Sequence, residues 1–194
     1  MSWIEVFIFI TGVVAVYLTA RNSIWNWWWG VVNVTVSGWL FFDGHLYSDA
    51  LLQIAYFLPM QFYGWWIWKN AGPHHADDLP VSRLPRTHYA IYLVAIAAAS
   101  LGWGELMKTH TDASQPFLDA TLAMASVAAQ YLDVRKKLES WWLWIAVDIL
   151  SAFYLYPKQH YYGVAAEYAV FLGIAVWGLW QWAKLARTKE AAIV

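Results

Sequence analysis

NWWWGVVNVTVSGWLFFDGHLYSDALLQIAYFLPMQFYGWWIW, residues 26–68, returns 114 positions later as SWWLWIAVDILSAFYLYPKQHYYGVAAEYAVFLGIAVWGLWQW, residues 140–182, on one ungapped register. Identical pairs include Trp27/Trp141, Trp28/Trp142, Ser37/Ser151, Tyr47/Tyr161, Ala55/Ala169, Phe57/Phe171, Gly64/Gly178, Trp66/Trp180 and Trp68/Trp182. They fall at the start, middle and end of the window, which a chance match of two Trp-rich stretches does not readily produce. The chain therefore contains an internal repeat.

What repeats follows from composition. The chain has 194 residues, of which 61% are hydrophobic, 19% aromatic and only 13% charged, with sixteen tryptophans and no cysteine. Ordinary soluble domains run nearer half apolar and a quarter charged, so this is an integral membrane protein. A spanning helix needs about 20 mostly apolar residues, and seven segments qualify: 3–20, 24–42, 47–68, 88–106, 116–133, 139–156 and 161–182. MSWIEV has no basic n-region, so the first segment is expected to stay in the protein. A net charge of −1 gives no electrostatic case for a nucleic-acid partner. Lack of cysteine excludes disulfides, thiol catalysis and thiolate metal sites.

The repeat maps the second span onto the sixth and the third onto the seventh. A shift of four spans makes both copies cross the bilayer the same way, and parallel repeats about an axis along the membrane normal are one known transporter design. The expected fold is all-α, with two parallel triple-helix bundles joined by a linker helix in a 3+1+3 arrangement. Its parts are a first bundle at 1–68, a loop at 69–87, a linker at 88–106, a second bundle at 107–182 and a tail at 183–194. With seven spans, one side of the membrane holds only Lys108 and Lys158, and the other holds the remaining ten of the twelve Lys and Arg residues. By the positive-inside rule the long loop and the C-terminus are cytoplasmic and the N-terminus is outside.

Polar side chains at membrane depth are costly, so they face a bundle interior, a cavity or each other. Asn26, Asn33 and Ser37 share a face of span two. Asp49, Gln53 and Phe57, with Tyr56 beside them, share one of span three. Gln130 closes the apolar run of span five. Trp141, Trp144, Asp148 and Ser151 line one side of span six, and Glu167 and Phe171 one side of span seven. In the repeat Gln53 falls on Glu167, so polar groups stand at matched depths. Convergence of Asn33, Gln53, Tyr56, Phe57, Gln130, Trp141, Trp144, Asp148, Glu167 and Phe171 on a midplane cavity would make a small-molecule site suited to a planar cation. The competing reading, interhelical hydrogen bonding as packing glue, holds equally for the amides and Ser37, and less well for the carboxylates Asp148 and Glu167. Asp49 and Asp133 sit near helix ends, where solvation or capping accounts for them. Trp65, Trp66, Trp68, Trp180 and Trp182, and most of the tryptophans that open the two copies, fit an interface belt.

No cofactor or metal is called for. His74 and His75 beside Asp77 and Asp78 read as a solvated loop. His45, His110 and His160 fall in outer loops with nothing to give them a role. Neither H-E-x-x-H, nor a phosphate-cradling glycine loop, nor a nucleophile elbow is present, so the chain is not expected to be an enzyme.

Three stretches carry a family resemblance: L-Y-x-D-x-x-L-Q at Leu46 to Gln53, Tyr63-Gly64-Trp65 at the end of span three, and the Arg135-Lys136-Lys137 to Trp141-x-x-Trp144 segment. Over nearly the whole chain the sequence resembles the Pnu family of bacterial vitamin transporters. That resemblance implies a SWEET-like fold and a place in the bacterial inner membrane. It also implies uptake by facilitated diffusion with alternating access, and trapping of the vitamin by a cytoplasmic kinase. Nicotinamide riboside is the substrate it favours, thiamine or another vitamin the alternative, and a proton-coupled carrier stays open because of the intramembrane acids. The partners so implied are the vitamin and the lipid bilayer, with a homo-oligomer compatible with both.

Overall fold

The computed structural model describes residues 3–43, 47–70, 79–111, 115–158 and 162–193. His45, His74, His75, Asp77, Asp78 and His160 lie outside them. Seven helical rods run through the described residues: α1 (Trp3–Ala20), α2 (Asn26–Asp43), α3 (Tyr47–Leu51, Leu52–Phe57 and Leu58–Asn70 in continuous succession), α4 (Arg86–His110), α5 (Pro116–Val134), α6 (Glu139–Leu150, continued by Ser151–Leu155 and Tyr156–Lys158) and α7 (Tyr162–Ile193). No strand accompanies them among the described residues; the nearest approach is an isolated bridge between Ser82 and Lys137. Three rods, α1, α4 and the Val164–Arg187 part of α7, are long and apolar enough to cross a membrane by length and hydropathy alone. The others carry the amides, acids and aromatics that lower an average hydropathy. Two are widened by π-helical turns, at Leu52–Phe57 in α3 and Ser151–Leu155 in α6.

Six rods pack in the ring order α1, α2, α3, α5, α6, α7 and back to α1, while α4 rests on α5. The turns after α1 and α5 are copies of each other. In the first, Asn22 and Ser23 donate their backbone N–H groups to the carbonyls of Thr19 and Leu18; in the second, Lys136 and Lys137 donate to Asp133 and Leu132. Each is a Schellman cap, whose C′ residue adopts the left-handed conformation, at φ 56° for Asn22 and 47° for Lys136. Asn tolerates that region, whereas for Lys it costs roughly 1–2 kcal/mol.

The core at this end of the ring corrects the expected tryptophan belt. Trp27, Trp68, Trp141 and Trp182 are at most 1% exposed, whereas Trp25, Trp28, Trp66, Trp142 and Trp180 do face outward. Trp27 meets Trp68 edge-on with ring centroids 5.2 Å apart, and Trp141 meets Trp182 edge-on at 5.4 Å. Such pairs add about 0.5–1.5 kcal/mol beyond the area they bury. Each first member lies over a glycine of the repeat, Trp27 over Gly64 and Trp141 over Gly178, where a Cβ would sit 2.3–2.8 Å from the indole. The identity of those residues in both copies is thus a packing requirement. Lys136, fully buried, holds its Nζ 4.2 Å from the centre of the Trp68 ring, and a desolvated cation over indole is worth about 2 kcal/mol, enough to offset its strained backbone.

Candidate functional site

Above the tryptophan core the ring carries the polar residues singled out from sequence, and the structure distributes them over several places. On the α1 side, Asn33 donates through Nδ2 to the Ile8 carbonyl at 2.7 Å and to Thr11 Oγ1 at 3.1 Å. Both amide hydrogens are spent on α1, which is helix-packing work, and Oδ1 is left as the atom able to accept from a ligand. Thr11, buried and not foreseen from sequence, donates to the Phe7 and Ile8 carbonyls. Gly12 is the floor of this corner, since a Cβ there would stand 3.2 Å from both Asn33 Nδ2 and the Phe171 ring. Asn33 and Phe171 are therefore brought together, from α2 and α7.

On the opposite seam, Tyr56 donates its hydroxyl to the Val127 carbonyl at 2.7 Å and meets Phe57 edge-on at 5.3 Å. Gln53 stands half-buried where α3 crosses Gly38 of α2. Gln53, Tyr56 and Phe57 all belong to the π-helical turn, where the Leu58 N–H bonds back five residues to the Gln53 carbonyl. Wide turns of this kind concentrate at functional sites because they re-aim side chains. Tyr56 also lines a cleft of about 280 Å³ between α3, α4 and α5, with Asp49, Trp103 and Asp119.

Gln130 and Asp148 are buried on α5 and α6, while Glu167 and Phe171 are half-buried on α7. Asp148 lies just before the second π-helical turn, and Ser151 opens that turn, 2% exposed. Trp144 donates its indole N–H to Asp133 Oδ2 at 2.7 Å. Asp133 is not solvated as expected but 5% exposed, because the cap at Lys136 folds the α5 end back under α6. Trp141 belongs to the tryptophan core beneath. Sequence reasoning also passed over Gln61, buried on α3, whose side chain lies where a Cβ on Gly30 would be. The signal for it was in the repeat: Trp144 and Ala175 stand where the first copy has Gly30 and Gln61.

Comparison with known proteins places this geometry. The family model described as "Nicotinamide mononucleotide transporter" matches residues 2–184. The chain belongs to this family. Within the nicotinamide mononucleotide transporter family it is 27% identical to the nicotinamide riboside transporter PnuC of Escherichia coli (strain K12), over 97% of this chain and 88% of that one. It is 29% identical to the riboflavin/roseoflavin transporter RibM of Streptomyces davaonensis, over 89% and 81% of the two chains. The crystal structure of a vitamin B3 transporter PnuC superposes with a TM-score of 0.78 at 22% identity, covering 96% of this chain and 83% of that one; at that identity the likeness is one of fold. The membership makes the chain a multi-pass membrane transporter of the bacterial inner membrane, and not an enzyme.

Proposed function

We propose that the chain imports nicotinamide riboside, or a vitamin precursor closely similar to it, by facilitated diffusion through alternating access. A cytoplasmic kinase would trap the product. The observation that carries this is the pairing of near full-length likeness to riboside transporters with a ring whose two seams are built alike. At one seam Trp68 of α3 donates its indole N–H to the Val134 carbonyl of α5 at 3.2 Å; at the other Trp182 of α7 donates to the Thr19 carbonyl of α1 at 3.1 Å. Two triplets, α1–α3 and α5–α7, meeting at equivalent seams are the parts a 3+1+3 carrier needs in order to rock about a midplane site. The basic ends of the helices belong in the cytoplasm and the N-terminus outside, in a SWEET-like arrangement.

In this reading Asn33 Oδ1, Gln53, Gln130 and the carboxylates of Asp148 and Glu167 hold ribose and amide groups. The rings of Tyr56, Phe57, Trp144 and Phe171 flank the cationic heterocycle, with Trp141 supporting Trp144 from below. A carrier that only equilibrates two states adds no driving force, so net flux follows the substrate gradient. The test is uptake of labelled nicotinamide riboside into proteoliposomes without kinase, with thiamine and riboflavin as parallel substrates; the likeness to RibM makes riboflavin the sharper comparison. Saturable riboside uptake unaffected by a protonophore is expected, with Asp148→Asn lowering it about tenfold, the equivalent of about 1.4 kcal/mol. Uptake of riboflavin alone would reassign the substrate, and abolition by the protonophore would replace diffusion with proton coupling.

A further inference from the structure

The two Schellman-capped turns are copies, yet among the described residues only the second carries a passenger. Over the second turn, residues 79–85 run as an extended strap. Ser82 donates its N–H to the Lys136 carbonyl and accepts from the Leu138 N–H, both at 3.0 Å. Lys137 Nζ reaches Ser82 Oγ at 2.8 Å, and Val81 is buried against the tryptophan core. Subtracting the repeat shift of 114, the pairing groups Lys136 C=O and Leu138 N–H become Asn22 C=O and Ile24 N–H of the first turn. Those two make no hydrogen bond among the described residues, and Asn22 Oδ1 is buried there with no hydrogen-bond partner. Beside them a cleft of about 240 Å³ opens between the end of α1 and α7, lined by Ala20, Arg21, Gln181, Lys184 and Leu185.

We propose that this first turn is a second strap seat, which receives an extended acidic peptide segment of a cytoplasmic partner protein. Backbone pairing to Asn22 and Ile24 would repeat what Ser82 does at the other turn, which is strand addition at the scale of one residue pair. The character of the occupant follows from the differences between the copies. Lys137 and Glu139, which grip the strap from their side chains, are Ser23 and Trp25 in the first copy, so the side-chain grip there falls to the cleft's two cations. Arg21 stands free of the tyrosine contacts that occupy its counterpart Arg135, and Lys184 lies 3.4 Å over the Trp180 ring. A basic passenger such as the strap itself, with Arg83, would be repelled; one with acids flanking a small β-branched residue would be held.

The cytoplasmic placement rests on the orientation proposed above, but the binding test does not. Full-length protein in nanodiscs, open at both faces, is titrated with a fluorescein-labelled peptide Glu-Pro-Val-Ser-Glu-Leu, the strap sequence made acidic. Saturable binding is expected, weakened about tenfold when the peptide serine is N-methylated and about tenfold by Arg21→Glu or Lys184→Glu. Riboside uptake by the same variants, measured separately, checks that they fold, so loss of docking and loss of transport are told apart. Absence of binding overturns the proposal, as does binding indifferent to N-methylation, which would reduce it to surface charge. The chain has no native cysteine, so Ser23→Cys on one copy cross-linking to Ser82→Cys on another would assign the seat to a second copy instead and equally overturn it.

Discussion

Gly64 and Gly178 show how little room a single position has. Each faces the six-membered ring of a buried indole at a distance no Cβ tolerates, so Gly64→Ala must displace Trp27 and Gly178→Ala must displace Trp141. Overpacking of this kind costs about 1–3 kcal/mol, and each variant is expected to unfold at lower temperature in detergent, to a similar extent because the two settings are copies. These glycines were legible as identities in the repeat; the burial of their tryptophan partners was not. Hydropathy scores an indole alike whether it lies in a lipid belt or in a protein core, and only the neighbouring glycine distinguishes Trp27 from Trp28. Asp133 was missed for a related reason. Its place near a helix end signalled solvent, but the acceptor it provides for Trp144 depends on a chain reversal that residue spacing does not reveal. Trp144→Phe removes the indole donor from that buried carboxylate and is expected to cost about 1–3 kcal/mol, again read as a lowered melting temperature.

Among the elements, the strap was the least legible. Pro80, Arg83 and Pro85 mark residues 79–85 as exposed loop, and nothing local announces that Ser82 meets a carbonyl across the cap. The Glu139 carboxylate fastens the same segment, accepting from the Leu84 N–H at 2.9 Å and the Tyr89 hydroxyl at 2.8 Å. Glu139→Ala removes both acceptors. Brief trypsin digestion should then cut faster at Arg83 and Arg86 than in the parent, because local opening sets the rate of such cleavage. Equal rates would show that the backbone bridge at Ser82 holds the strap unaided. The helical rods themselves were legible to within a few residues at most ends, since long apolar segments are what hydropathy detects. Their π-helical turns were not, because a wide turn is decided by packing rather than by propensity.

At the scale of the whole molecule the repeat was the decisive signal, and its strongest structural expression is the pair of seam bonds from Trp68 and Trp182. Trp68→Phe and Trp182→Phe each keep a ring and delete one indole donor, at a net cost of about 0.5–1.5 kcal/mol. The rings are 6.4 Å apart, so the double variant is expected to depart measurably from the sum of the singles in thermal unfolding. The same symmetry shows where the halves parted. Gly30 lies under Gln61 in the first, and at the matching positions of the second Trp144 and Ala175 stand, with Trp144 packed on the core cluster that holds Ala175. Small against large has become large against small. If both halves descend from one duplicated segment, the order of mutations was constrained: whichever pairing came first, a second large side chain arriving before the first was removed would have collided with it, so the viable path ran through small against small. The present asymmetry between the halves then dates from a step that first opened a void and only afterwards filled it from the opposite side.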